Sequence, residues 1–143
     1  MVFSVLASKL CVHTDKKGDE YYPGDMIGGY AKLHTLRGVA ARSVKVRLRC
    51  IEWLNPKKNT NKEGKGQELL LWEKEKKLGG NHKYHAGEWA FNFKLPKTAL
   101  PTITPEPYQK HAHVGAGLKW HLHAQLDLPH SPDMHAYKQI FIY

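Results

Sequence analysis

The segment Gly87-Glu88-Trp89-Ala90-Phe91-Asn92-Phe93-Lys94-Leu95-Pro96 constrains the fold more than any other stretch of this chain. Trp89, Phe91, Phe93 and Leu95 recur at every second residue, while Ala90, Asn92 and Lys94 fill the alternate positions. Successive strand side chains point to opposite faces, so this spacing predicts a strand with a buried aromatic face and a wet polar one. Pro96 has no N–H to give a ladder and closes the strand. One strand with so apolar a face is unstable alone. It needs neighbours for its backbone and a second layer over its rings, which commits the rest of the chain to supplying both.

The remaining sequence offers those partners. In Tyr22-Pro23-Gly24-Asp25-Met26-Ile27-Gly28-Gly29-Tyr30, Pro23 presets φ for a turn, Gly24 relaxes the backbone, and the chain then runs into a strand over Gly29 to Leu33. Asp25 is placed to hydrogen-bond within that turn, and Gly28-Gly29 reads as a strand bulge. Between Ser43 and Trp53, Val44, Val46, Leu48 and Cys50 share one face and Lys45, Arg47 and Arg49 the other. Trp120, Leu122, Ala124, Leu126 and Leu128 alternate with Lys119, His121, His123, Gln125 and Asp127. Val2 to Val12 and Lys138 to Tyr143 supply further strands. Glu68 to Lys77 has helix-forming residues, but its place between a hairpin-like loop and Gly79-Gly80 predicts a strand. Strands at short intervals, separated by Gly, Pro, Asn and Asp, predict an all-β, immunoglobulin-like antiparallel sandwich. At 143 residues, residues 1–143 form a single domain's worth of chain.

This ordered series resembles the amino-terminal domain of the arrestin family. There a first strand leads to a Pro-Gly turn, a Gly-containing strand, and a strand rich in Val, Leu and Arg. After a variable loop and two strands comes an aromatic strand ending in Leu-Pro, here Trp89 to Pro96 with Ala86-Gly87 in place of Pro-Gly. An aromatic-rich strand with an Asp-Leu-Pro turn follows, as in Trp120 to Pro129. The resemblance implies a non-enzymatic protein-interaction module, since the sporulation-control and retromer-subunit branches of the family are scaffolds and adaptors. Arrestins proper pair two sandwiches across a cleft, and this chain covers one of them. They also sense phosphate through paired lysines in the first strand, where this chain has only Lys9, so that role does not transfer.

Residues 55–66 contain no apolar residue besides Pro56 and carry Lys57, Lys58, Lys62 and Lys65. Such a segment cannot bury itself, which predicts a mobile surface loop. By position it matches the family's finger loop, which inserts into a membrane-receptor partner. The four lysines are therefore the candidate partner-binding residues. A second connection, from Thr98 to Gly117, is punctuated by Pro101, Pro105 and Pro107, and a short helical turn fits near Tyr108 to His111.

A net charge of +9 bears on partners rather than on fold. Lys74, Lys76, Lys77 and the outer face of Arg42 to Arg49 would make an anion-attracting surface if they converged. An acidic or membrane-associated protein fits such a surface. Nucleic acid does not, because stacking needs aromatics among the basic residues and here the aromatics fall on inner faces. An open sandwich also leaves unpaired strand edges, through which copies of the chain could associate.

Ten histidines stand in the chain, and His111/His113 and His121/His123 are each spaced to share a strand face. Two such pairs on neighbouring strands would offer four imidazoles to Zn²⁺ or a small ligand, the alternative function. No Cys, Asp or Glu accompanies them, so exposed histidines on a wet face is the preferred reading, with no cofactor.

Catalytic signals are absent: no serine lies in a Gly-x-Ser-x-Gly elbow, and no phosphate-cradling or dinucleotide glycine pattern occurs. The carboxylates Asp15, Asp19, Glu20 and Asp25 are interrupted by Lys16 and Lys17 and read as turn chemistry rather than a calcium loop. No run of some 18 apolar residues and no charged-then-apolar leader occurs, which predicts a cytoplasmic protein. Cys11 and Cys50 then read as small buried hydrophobes, with a bridge between them left open.

Overall fold

The structure is a computed structural model and describes residues 8–55, 67–103 and 115–143. Ten strands follow in chain order: β1 (Lys9–Thr14), β2 (Glu20–Tyr21), β3 (Met26–His34), β4 (Val39–Ala41), β5 (Ser43–Asn55), β6 (Gln67–Gly79), β7 (His82–Tyr84), β8 (Gly87–Lys94), β9 (Gly115–Asp127) and β10 (Met134–Ile142). No helix occurs among the described residues. One sheet has the order β1-β3-β8, a larger one β2-β10-β9-β5-β6, and β4 and β7 form a small ribbon. The pairings are antiparallel except that β2 joins β10 in parallel, through Phe141↔Glu20 and Ile142↔Tyr21.

The core lies between the two larger sheets, where the period-two pattern places it. Ile27, Ala31 and Leu33 of β3 and Phe91 and Phe93 of β8 face Val44, Val46, Leu48 and Cys50 of β5 and Trp120, Leu122, Ala124 and Leu126 of β9. Each large side chain so buried is worth about 1.5–3 kcal/mol against exposure. Trp120 satisfies its one polar atom by donating from Nε1 to the Leu100 carbonyl at 2.9 Å. Trp72 of β6 packs beside it, with ring centroids 5.7 Å apart.

The Pro-Gly turn is built as the sequence predicts. Gly24 has φ 87°, the Asp25 N–H donates to the Tyr22 carbonyl at 3.0 Å, and the Tyr22 N–H donates to the Asp25 carboxylate at 2.8 Å. The Leu95 N–H then donates to the Asp25 carbonyl at 2.8 Å, tying the end of β8 to this turn.

Two expectations are corrected. Gly28 and Gly29 sit in unbroken register with β8, and Gly29 also pairs with Thr14 of β1, so there is no bulge. At Gly29 a Cβ would run into the His13 carbonyl oxygen, so the glycine serves close strand approach. Cys11 is only half-buried, on the edge strand β1, and the bridge left open by the sequence is not formed: both cysteines are free thiols.

Candidate functional site

The outward face of the larger sheet is read directly from its register. Tyr137 of β10 stands opposite His123 of β9, His123 opposite Arg47 of β5, and Arg47 opposite Glu75 of β6. The next row is Gln139, His121, Arg49 and Glu73, and the row on the other side is His135, Gln125, Lys45 and Lys77. Cross-strand neighbours at this spacing interact, and these do. Arg47 Nε donates to Glu75 at 2.8 Å and its Nη1 to Gln125 Oε1 at 2.6 Å. Gln125 donates onward to Asp133 at 2.7 Å, and Asp133 accepts the Leu128 N–H at 2.9 Å. Arg49 pairs with Glu73 at 2.7 Å, and Arg42 with Asp127 at 2.9 Å. The arginines expected to attract anions are thus each neutralised within the sheet.

His123 is not the exposed strand histidine that the sequence suggests. It is only 4% exposed, because its ring lies parallel to Tyr137, with centroids 4.5 Å apart, and beside His135. Burial, together with the charges of Arg49, His135, Arg47 and His121, pulls its pKa down to about 4. Burial also lowers His121, again with Arg49 and Lys119 adding to the effect. The ring of His121 meets Tyr137 edge-on at 5.7 Å. His121 Nε2 and His123 Nδ1 are buried without a hydrogen-bond partner. His111 and His113 lie outside the described residues; the partner the structure gives His123 is His135, from a strand whose histidine the sequence pattern did not connect to it. Among the described residues no group of three or more His, Cys, Asp or Glu is placed to hold a metal.

The candidate loop lysines Lys57, Lys58, Lys62 and Lys65 lie outside the described residues. The strands that lead into and out of that loop are described. β5 and β6 are the two arms of a hairpin, each 13 residues long, joined from Leu54↔Gln67 to Val44↔Gly79 with register shifts at Val44/Lys45 and Cys50/Ile51. The second shift makes Leu71 the extra residue, since Cys50 faces Trp72 and Ile51 faces Leu70. Next to the loop, β6 exposes Leu69 at 60% and Leu70 at 50%, with Leu71 also exposed. In the sequence Leu69-Leu70-Leu71-Trp72 is the apolar start of the strand expected over Glu68 to Lys77. Its lack of alternation was the signal that no single face could bury it.

Among the described residues, no helix is long and apolar enough to cross a membrane. No protein-family model matches this chain, and no curated protein matches it by sequence. Among solved structures it is similar to the crystal structure of Spo0M, sporulation control protein, from Bacillus subtilis. The TM-score is 0.63 at 18% identity, over 95% of this chain and 49% of that one. The chain therefore spans about half the length of this neighbour. The fold is an arrestin-like β-sandwich.

Proposed function

We propose that the chain is a single arrestin-like sandwich domain acting as a non-enzymatic, cytoplasmic protein-interaction module, an adaptor or scaffold. In this reading residues 55–66 are its partner-binding element, with Lys57, Lys58, Lys62 and Lys65 addressing an acidic or membrane-associated protein. The observation that supports it most is the β5–β6 hairpin: it leads into the lysine-rich loop and leaves exposed leucines at the loop's base. A solvated hairpin tip with no partner does not call for exposed Leu69 and Leu70 beside it. The test replaces the four lysines with glutamine and compares the proteins cross-linked to each form in cells. Selective loss of one partner supports the reading, and an unchanged set removes the loop from it.

A second reading, metal or small-ligand binding through His121 and His123, is favoured by one observation: each presents a buried ring nitrogen without a partner.

A further inference from the structure

We infer that the free edge of β6 is a second binding site, which takes up an extended peptide segment of a partner as an added strand, apolar at one end and acidic at the other. The inference rests on the interaction-module reading but not on the basic loop.

Three observations converge on this edge. First, among the described residues β6 pairs with β5 and with no other strand, so one row of its backbone donors and acceptors is open. Strand edges in this state recruit further strands unless blunted by proline, charge, a bulge or a covering element; here a bulge stands at Leu71 and lysines in the far half. Among residues 67–79 there is no proline. Only its far half is covered, where Lys76 reaches Asn92 of β8 and lies over the Phe93 ring.

Second, the open half adjoins a cavity of about 220 Å³ between the larger sheet and the segment after β8, lined by Cys50, Leu71, Trp72, Pro96, Leu100 and Trp120. Its walls are mostly apolar, with Thr98 the one hydroxyl residue among them, and Leu71 and Leu100 are exposed. One large apolar side chain of an added strand would fill it, which supplies the anchoring pocket that strand addition uses for specificity.

Third, the charge along the edge is one-sided. Glu73 and Glu75 are taken up by Arg49 and Arg47. Lys74 and Lys77 are exposed and have no ion pair among the described residues, and Lys77 stands opposite Lys45. A strand added along the open half, Leu69 to Trp72, therefore runs toward the exposed lysines Lys74 and Lys77, and carboxylates at that end complement them. The same charge argues against a second copy as the occupant, since each copy carries +9 and the same lysines.

The test is selection of random twelve-residue peptides on the intact chain, followed by affinity measurement on the winners. The expected winners carry a large apolar residue with Asp or Glu several positions away. Their affinity falls ten-fold or more with Leu71→Arg, and Lys74→Glu with Lys77→Glu shifts selection toward basic peptides. N-methylation at one set of alternate backbone nitrogens abolishes binding, while the other set is tolerated. Thermal melts of each variant guard against loss by unfolding; Leu71 and both lysines are exposed, so the folded state should persist.

Winners indifferent to Leu71→Arg, or to both methylation sets, overturn the edge site while leaving the module reading standing. Failure to select any peptide overturns it too, and leaves the loop reading to its own cross-linking test. A dimer in light scattering that Leu71→Arg dissolves would assign the edge to a second copy and overturn the peptide proposal.

Discussion

His123 Nε2 lies 2.8 Å from His135 Nδ1, and the two rings are within 18° of parallel. This hydrogen bond requires at least one of the two imidazoles to be neutral, since a doubly protonated pair has no acceptor. Burial under Tyr137, with the charges of Arg49, His135, Arg47 and His121 adding to it, keeps His123 neutral at neutral pH.

The consequence is a pH dependence of stability with a defined sign. Above about pH 6.5 His123 is neutral in both folded and unfolded chains. Between 6.5 and its folded value of about 4 the unfolded chain binds a proton that the folded chain refuses, so stability falls as pH falls. With about 1.4 kcal/mol per pKa unit, the loss is at most ~3.5 kcal/mol and levels off below pH 4. His121 shifts in the same direction and adds to the loss. Asp133, held below the usual carboxylate range by the Leu128 N–H, contributes stability that is lost only at more acid pH. Urea midpoints at pH 8, 6 and 4.5 should fall progressively, and His123→Phe, which keeps the stack on Tyr137, should flatten the decline. Parallel curves for the two proteins would refute the assignment.

Gly29→Ala should be severely destabilising. The new methyl would collide with the His13 carbonyl oxygen and meet the Phe91 ring at 3.0 Å, and neither strand can retreat without opening its ladder. A cost at or above the upper end of the ~1–3 kcal/mol typical of overpacking is expected. Gly80→Ala is the control, since a methyl there would meet nothing within 4 Å and its φ is ordinary; its midpoint should stay within ~0.5 kcal/mol of the parent. Equal effects of the two changes would count against the close approach of β1 and β3.

The two thiols should differ in reactivity. Burial pushes the Cys50 thiol up to about 11, so little thiolate is present near neutrality and the sulfur is covered. Cys11 is half-buried. A disulfide reagent at pH 8 should titrate one equivalent rapidly in the native protein and the second only with unfolding. Mass mapping that finds Cys50 labelled first would contradict the core geometry.

Zinc should bind weakly or not at all at the outer face. His123 Nε2 is engaged with His135, and among the described residues no group of three His, Cys, Asp or Glu is placed to hold a metal. Calorimetric titration is expected to show no site tighter than about 10⁻⁴ M that depends on these residues, against the far tighter binding of built zinc sites. A micromolar site lost in His121→Ala with His123→Ala would establish the metal-binding reading instead.

Much of the fold was legible residue by residue. The alternation of Trp89, Phe91, Phe93 and Leu95 placed Phe93 and Leu95 in the core, and that of Trp120 to Leu128 did the same for β9, because period two is imposed by the backbone itself. β6 was legible as a strand despite its helix-forming residues, and tertiary pairing with β5 overrides that propensity. The outer-face site was not legible. His121 and His123 could be put on one face, but nothing in their own segment reveals that Tyr137 covers His123 or that His135 is its partner. The arginines read as free cations for the same reason: Glu73 and Glu75 sit 24 and 28 residues away in sequence and meet Arg49 and Arg47 only through strand register.

The order of residues, through alternation and turn chemistry, determined that this chain forms strands, which side of each is apolar, and that two layers must close over them. Both follow from forces acting within a few residues: the pleat, the φ limits of Pro23 and the freedom of Gly24. Which strands become neighbours, in what register, and which edge stays open were decided only by tertiary packing. Those choices bury His123, neutralise Arg47 and Arg49, and leave β6 exposed at Leu69 to Leu71. Contacts between distant segments depend on the joint fit of the whole core, and a local pattern carries no record of that fit.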